Sequence, residues 1–282
     1  MGRRVADRPA IEQEPTTPLL DLLRRRGVQV SEIRRSDYLH VSDLLHKCVR
    51  RIAICKKNGI TAHAPPISLS QLLTFEQGDG IHDGVKNWLK EASPDSLYGI
   101  WSCPCGTTKH EQWFTFDEID HEETCEACGK HIDQYHEIEL RDEELRVVGH
   151  PDVVLRRSGS ILLISELKSI KHEDWVELVR PQPLHIMQVI AYWHLAKRKG
   201  LPVSEYVSIA YFTKKQVQKE YPGKEFVLRA EEYVPRVLAY IETAESYAAF
   251  LAGGDYPART YCKSFTDSNA KICNVRSICF DS

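Results

Sequence analysis

The chain has 282 residues, 42% of them hydrophobic, with 37 basic side chains against 40 acidic ones for a net charge of -3. That length suits one large domain, or one domain with a small inserted module, and so balanced a charge excludes a protein that coats duplex DNA through a globally basic surface. No apolar run approaches the ~20 residues of a membrane helix, and the Arg-rich start (Arg3, Arg4, Arg8) has no apolar stretch behind it and is interrupted by Asp7, Glu12 and Glu14, so the chain reads as cytoplasmic.

Residues 1–36, with three prolines and many charges, read as a mobile arm with room for a short docking helix at 19–23. The main domain is expected over 37–282. Val41, Leu44, Leu45, Val49 and Ile52 recur at helical spacing behind a capping Ser42, and this helix carries Cys48. A second helix is predicted over 70–89 on Leu72, Leu73, Ile81, Val85, Trp88 and Leu89; it carries His82, although Gly78, Gly80 and Gly84 weaken it. Residues 99–131 change character: Cys-Pro-Cys-Gly and Cys-Glu-Ala-Cys-Gly bracket polar aromatic sequence and predict an inserted metal-binding module. Strand-like runs follow at 135–140, 145–155 and 161–167, an expected antiparallel meander with Gly149-His150-Pro151-Asp152 inside its middle strand. A helix over 184–199, strands over 206–212 and 225–228, and a helix over 230–251 complete a mixed α/β domain with helices flanking one central mixed sheet; a cysteine-bearing tail occupies 260–282.

Glu166 and Lys168 stand two apart on a strand, so they share one face of the sheet while Leu167 takes the other. Charges ending a buried Ile-Leu-Leu-Ile run are costly unless partnered or bound to a metal, and Asp152 beside Glu166 is repulsive until a divalent cation lies between them. Gln188 and Tyr192, four apart, share a face of the following helix, whose Ile186, Val189, Ile190 and Leu195 supply core. An isolated Glu-x-Lys is ordinarily a strand-edge salt bridge, and a lone His82 ordinarily a half-buried histidine. Here the motifs occur together and in order.

Gly-x-x-x-His, Gly-x-x-Asp, Glu-x-Lys and Gln-x-x-x-Tyr, over roughly 41–279, resemble the RecB-type branch of the Pro-Asp/Asp-Glu-x-Lys nuclease superfamily, whose fold is a restriction-endonuclease-like core. The resemblance implies that His82, Asp152, Glu166 and the backbone carbonyl of Leu167 hold a metal, that Lys168 positions or activates the attacking water, and that Gln188 and Tyr192 contact the DNA strand or organise the site. Phosphodiester hydrolysis needs a nucleophilic water and neutralised phosphate charge, which a cation held by carboxylates supplies, while Lys168 adds positive charge where negative charge develops. Carboxylates and a carbonyl suit magnesium or manganese; an imidazole tilts the set toward manganese.

Without a secretory signal, nine cysteines point to metal ligation rather than disulfides. Cys103-x-Cys105 and Cys125-x-x-Cys128, each followed by glycine, resemble a zinc ribbon or knuckle, with His121 or His131 as stand-ins for one thiolate. Cys48 with Cys262, Cys273 and Cys279 resembles the four-iron four-sulfur set of the AddB nuclease and CRISPR adaptation exonuclease subgroup, with a longer gap than usual after Cys262; zinc on the same thiolates is the alternative. Cys55 is left as a spare buried thiol. Arg24–Arg26, Arg50 with Arg51, Lys197–Lys199 and Lys214 with Lys215 are the basic patches, each a DNA contact or an ordinary solvated face. The function expected is a DNA exonuclease acting on single-stranded or end-containing DNA in phage or prokaryotic recombination, replication or spacer acquisition. The alternatives are a structure-specific endonuclease and an inactive nuclease-like module that only binds DNA. With no Gly-x-x-x-x-Gly-Lys-Ser/Thr in the chain, a helicase or recombination partner is a separate protein.

Overall fold

The structure, a computed structural model, describes residues 37–46, 48–60, 69–107, 109–113, 124–157, 161–215 and 222–281; the arm expected over 1–36 lies outside them. A short strand β1 (Leu39–His40) runs into helices α1 (Val41–His46) and α2 (Val49–Lys57), followed by the long α3 (Leu69–Ala92). Strands β2 (Tyr98–Ser102), β3 (Lys109–Trp113), β4 (Gln134–His136), β5 (Leu140–Asp142), β6 (Val147–Gly149) and β7 (Val153–Arg156) precede the long strand β8 (Leu162–Ile170). Helices α4 (His172–Glu177) and α5 (Pro183–Arg198) lead to β9 (Val203–Thr213) and β10 (Gly223–Arg229), and then α6 (Val234–Leu251), α7 (Ser268–Lys271) and α8 (Arg276–Asp281).

The central sheet is mixed, in the order β10-β9-β8-β7. β7 and β8 form an antiparallel hairpin that sets Val153 opposite Ser165, whereas β8 and β9 are parallel, with Glu166 opposite Ile209 and Lys168 opposite Tyr211. Parallel pairing needs a crossover, and α4 and α5 provide it. Residues 162–167 are all buried, as a strand covered on both faces must be. On one face Leu162 and Ile164 join Ile186, Val189 and Ile190 of α5 and Val237, Ala244 and Tyr247 of α6 in the main core. On the other, α3 comes so close at Gly78 that a Cβ there would stand 2.9 Å from Ser169 Oγ.

Two smaller sheets, β1-β6-β5 and β3-β2-β4, complete the fold. They correct the expected meander. Pro151 has no N–H to continue a ladder, so the run over 145–155 splits there: β6 joins one sheet and β7 another. Asp152 therefore lies in the connection between strands rather than within one. The run over 135–140 divides likewise into β4 and β5. The first predicted helix is also two, and Cys48, with extended backbone (φ -74, ψ 104), is the N-cap of α2. At the far end a 3-10 turn, Ala230–Tyr233, precedes α6, because Pro235 fits only the first turn of a helix.

Candidate active site

The predicted residues converge where β7 and β8 begin and end. Asp152 leaves the turn before β7 and accepts the Leu167 backbone N–H at 2.8 Å through Oδ2. His82, on α3, places Nδ1 3.7 Å from Asp152 Oδ1. Glu166 and Lys168 project together from β8, and Lys168 Nζ donates to Glu166 Oε1 at 2.6 Å and to Gln188 Oε1 at 2.9 Å. Gln188 Nε2 in turn donates to Tyr192 Oη at 3.0 Å. A single chain of hydrogen bonds thus runs from Glu166 through Lys168 and Gln188 to Tyr192. The glycine of Gly-x-x-Asp belongs to it: a Cβ on Gly149 would stand 2.5 and 2.7 Å from two Tyr192 ring carbons, so the ring needs that space empty.

Burial sets the electrostatics. Glu166 is 2% exposed, and desolvation followed by the charge of Asp152 pushes its carboxyl up to about 8, against the pull of Lys168. Burial also opposes ionisation of Asp152, but His82, the Leu167 N–H and Lys168 outweigh it and hold that carboxyl below its usual range. The two carboxylates are thereby driven apart. Burial, with Glu166 nearby, raises Tyr192 far above an ordinary phenol, so it stays protonated. Among the described residues, Glu166 Oε2 and His82 Nε2 are buried without a hydrogen-bond partner. Such orphaned atoms are rare and call for an explanation. Two carboxylates and an imidazole carrying unused buried donor atoms are a set that fits a divalent cation.

Two further features escaped the sequence reading. Lys86, one helical turn beyond His82, bonds Glu137 Oε1 at 2.9 Å and tethers α3 to the segment after β4. Its i+4 spacing from His82 was the available signal; nothing in the sequence located Glu137. Tyr211, opposite Lys168, is fully buried and accepts the Gln182 backbone N–H at 3.0 Å, with His185 Nδ1 at 2.8 Å fixing the start of α5.

The two cysteine sets differ. Cys103, Cys105, Cys125 and Cys128 bring their sulfurs within 4.8 Å of one another, and among the described residues no other group of three or more potential ligands is drawn so close. His131 stands outside this group, and His121 lies outside the described residues. Cys48, Cys262, Cys273 and Cys279 are neighbours without reaching that spacing. Burial first, and then the thiols of Cys279 and Cys273, raise Cys48; burial, Asp267 and the other three thiols raise Cys262. Cys279 and the buried Cys55 pack with Ile54 and Val275, joining tail to α2.

Several residues of the expected basic patches are engaged within the protein, although only Arg50 among them is buried. Arg50 is buried and donates to the carbonyls of Pro257 at 2.9 Å and Cys279 at 3.4 Å, while Arg51 Nε bonds Asn274 Oδ1 at 3.0 Å, so this pair pins the C-terminal tail. Lys214 Nζ donates to the Thr74 carbonyl of α3 at 2.9 Å, while Lys215 beside it is exposed. Arg198 is paired with Asp142 and Glu144. Arg24–Arg26 lie outside the described residues. Among the described residues, no helix is long and apolar enough to cross a membrane.

The sequence profile of the PD-(D/E)XK nuclease superfamily matches residues 44–280. Among solved structures, the chain is similar to SSO0001, at 14% identity over 92% of this chain and 98% of that one, with a TM-score of 0.42. It is similar also to the alkaline exonuclease LHK-Exo from Laribacter hongkongensis, at 10% identity over 81% and 96% of the two chains with a TM-score of 0.42. For the complex of LHK-Exo with dAMP the values are 12% identity, 78% and 88% coverage, and a TM-score of 0.39. No curated protein matches the chain.

Proposed function

The chain belongs to the PD-(D/E)XK nuclease superfamily, and from that premise we propose that it is a metal-dependent DNA exonuclease acting on single-stranded or end-containing DNA. The observation that carries this reading is the network on β8: Lys168 shared between Glu166 and Gln188, with Glu166 Oε2 and His82 Nε2 left without partners beside Asp152. His82, Asp152, Glu166 and the Leu167 carbonyl are the residues to hold magnesium or manganese. When bound, the cation supplies Lewis-acid polarisation of the phosphate and charge neutralisation.

The chain's own groups do the rest. Lys168, fixed at two points, presents a cation whose orientation costs nothing to arrange during the reaction. Gln188 and the protonated Tyr192 hold Lys168 in place, and the burial of the network keeps bulk water from screening it. Asp152, ionised and anchored by the Leu167 N–H, ties the start of β7 to β8 and keeps the two carboxylates in a fixed relation.

The direct test compares end-labelled linear with circular single-stranded DNA, each with magnesium and with manganese. An exonuclease degrades the linear strand and spares the circle. Equal attack on the circle replaces this reading with an endonuclease, and no cleavage with either ion leaves a DNA-binding module.

A second cofactor rests on the tail. Cys48, Cys262, Cys273 and Cys279 supply four neighbouring thiols suited to a four-iron four-sulfur cluster, which would close the joint between tail and α2 that Arg50 already braces. The pathway assigned to the activity is DNA recombination, replication or spacer acquisition, with any helicase supplied by another protein.

A further inference from the structure

We propose that Cys103, Cys105, Cys125 and Cys128 bind one zinc ion, and that this zinc braces the wall behind the nuclease centre so that its loss weakens metal binding there. The geometry of the tetrad is that of a thiolate cage. Cys103 and Cys105 sulfurs lie 2.8 Å apart and those of Cys105 and Cys125 3.6 Å, while all four fall within 4.8 Å. A tetrahedral zinc with Zn–S bonds of about 2.3 Å needs sulfurs about 3.8 Å apart, inside this range. Each cysteine turn closes on a left-handed glycine, Gly106 (φ 73) and Gly129 (φ 64), whose N–H returns to the carbonyl of the first cysteine at 2.9 and 2.7 Å. Those turns aim paired thiols to one point, and only glycine adopts this backbone without strain.

What lies beneath the tetrad gives it a role. Cys103 and Cys125 are 0% and 1% exposed and belong to a cluster with Leu97, Trp101, Ile132, Val85, Val153 and Leu167. Of those six apolar residues only Trp101 lies within 99–131, with Leu97 and Ile132 just outside its two ends, too few for a core of its own, which is the situation in which metal bonds supply folding energy. Val85, Val153 and Leu167 come from the nuclease core and are neighbours of the nuclease motifs in sequence. Val85 stands one turn from His82, Val153 follows Asp152, and Leu167 separates Glu166 from Lys168. The Leu167 N–H also holds Asp152 at 2.8 Å, so a shift of this one residue disturbs both carboxylates. The Lys86–Glu137 pair adds a polar tie between α3 and the segment after β4, a strand that pairs with β2.

The zinc assignment stands on the tetrad alone; the coupling rests on the nuclease reading above. The test begins with elemental analysis of the full-length wild-type protein, where one zinc per chain beyond any iron is expected. Replacement by cobalt(II) should give the absorption of tetrahedral thiolate ligation. Manganese affinity is then measured by calorimetry for wild type and for Cys128→Ser, which should lose the zinc and bind manganese at least about tenfold more weakly, the usual scale for disturbing the support of metal ligands. Leu167→Ala serves if Cys128→Ser does not fold: it should keep zinc and still lose manganese affinity. No zinc in wild-type protein, or iron in its place, overturns the site. Zinc loss, or Leu167→Ala, with unchanged manganese affinity overturns the coupling. If zinc-loaded wild type binds no manganese and cuts no DNA, the nuclease reading and the coupling fail while the zinc site stands.

Discussion

Replacing Gly149 by alanine adds one methyl group at the place where β6 meets the ring of Tyr192. The new Cβ would lie 2.5 and 2.7 Å from two ring carbons and 2.9 Å from Val41 Cγ2. Carbon atoms pack at about 3.5 Å or more, so the ring must retreat by about 1 Å. It has little room, being 5% exposed and bonded through its hydroxyl to Gln188. Overpacking of this kind costs roughly 1–3 kcal/mol. Any movement of Tyr192 passes to Gln188 and then to Lys168, which Gln188 holds at 2.9 Å. A displacement of that size at a positioned group lowers the cleavage rate by about ten- to a hundredfold. Urea unfolding and single-turnover cleavage measure the two effects. The same substitution made in a Tyr192→Leu background removes most of the clash, so its cost there should fall by at least about 1 kcal/mol. Strict additivity of the two changes would refute the idea that Gly149 exists to seat Tyr192.

Lys168→Ala should reduce cleavage by at least about a hundredfold while shifting stability by under about 1 kcal/mol, because the buried Glu166 can keep a proton once its partner is gone; near-normal rates would remove Lys168 from the site. The raised carboxyl of Glu166 makes stability of the metal-free protein fall as pH rises from its unfolded value of 4.5 through about 8, since the folded state binds the proton more tightly across that window. Denaturant titrations of wild type and Glu166→Gln should therefore diverge in slope there, and parallel profiles count against a neutral buried carboxyl. Anaerobically purified protein should be brown, and Cys279→Ser should bleach it and expose the tail to protease; full color in the variant excludes Cys279 as a ligand.

The legible parts of this chain were those governed by a short period. The two-residue spacing of Glu166 and Lys168 and the four-residue spacing of Gln188 and Tyr192 fix which face each occupies, and the structure joins those faces through Lys168 and Gln188. The long helix bearing His82 and the helix α5 before β9 follow from apolar spacing in the same way, whereas the short α4 and the parallel crossover it belongs to do not. What a period cannot express was lost. Apolar pattern alone does not reveal that Pro151 diverts the chain from one sheet to another, nor that a break before Val49 makes Cys48 a cap. Charge runs misled for a related reason: Arg50 looks like surface, but carbonyls at Pro257 and Cys279 satisfy it in the interior, more than two hundred residues away.

The alternation along β8 explains why support and chemistry share so little material here. Side chains at even positions, Leu162, Ile164, Glu166 and Lys168, pass from apolar to charged as the strand leaves the main core, while Leu167 at an odd position stays in the second apolar cluster. A charged pair can end a buried strand only if the backbone beneath it is held firmly, because the desolvated carboxyl of Glu166 gains from any motion toward water. Parallel pairing to β9 holds one edge of β8 and the β7 hairpin holds the other. The opposite face is held by apolar packing that ends at Cys103 and Cys125. Rigidity at Glu166 is thus a property of both faces of the strand, and the face without charges is the one on which the placement of Glu166 depends.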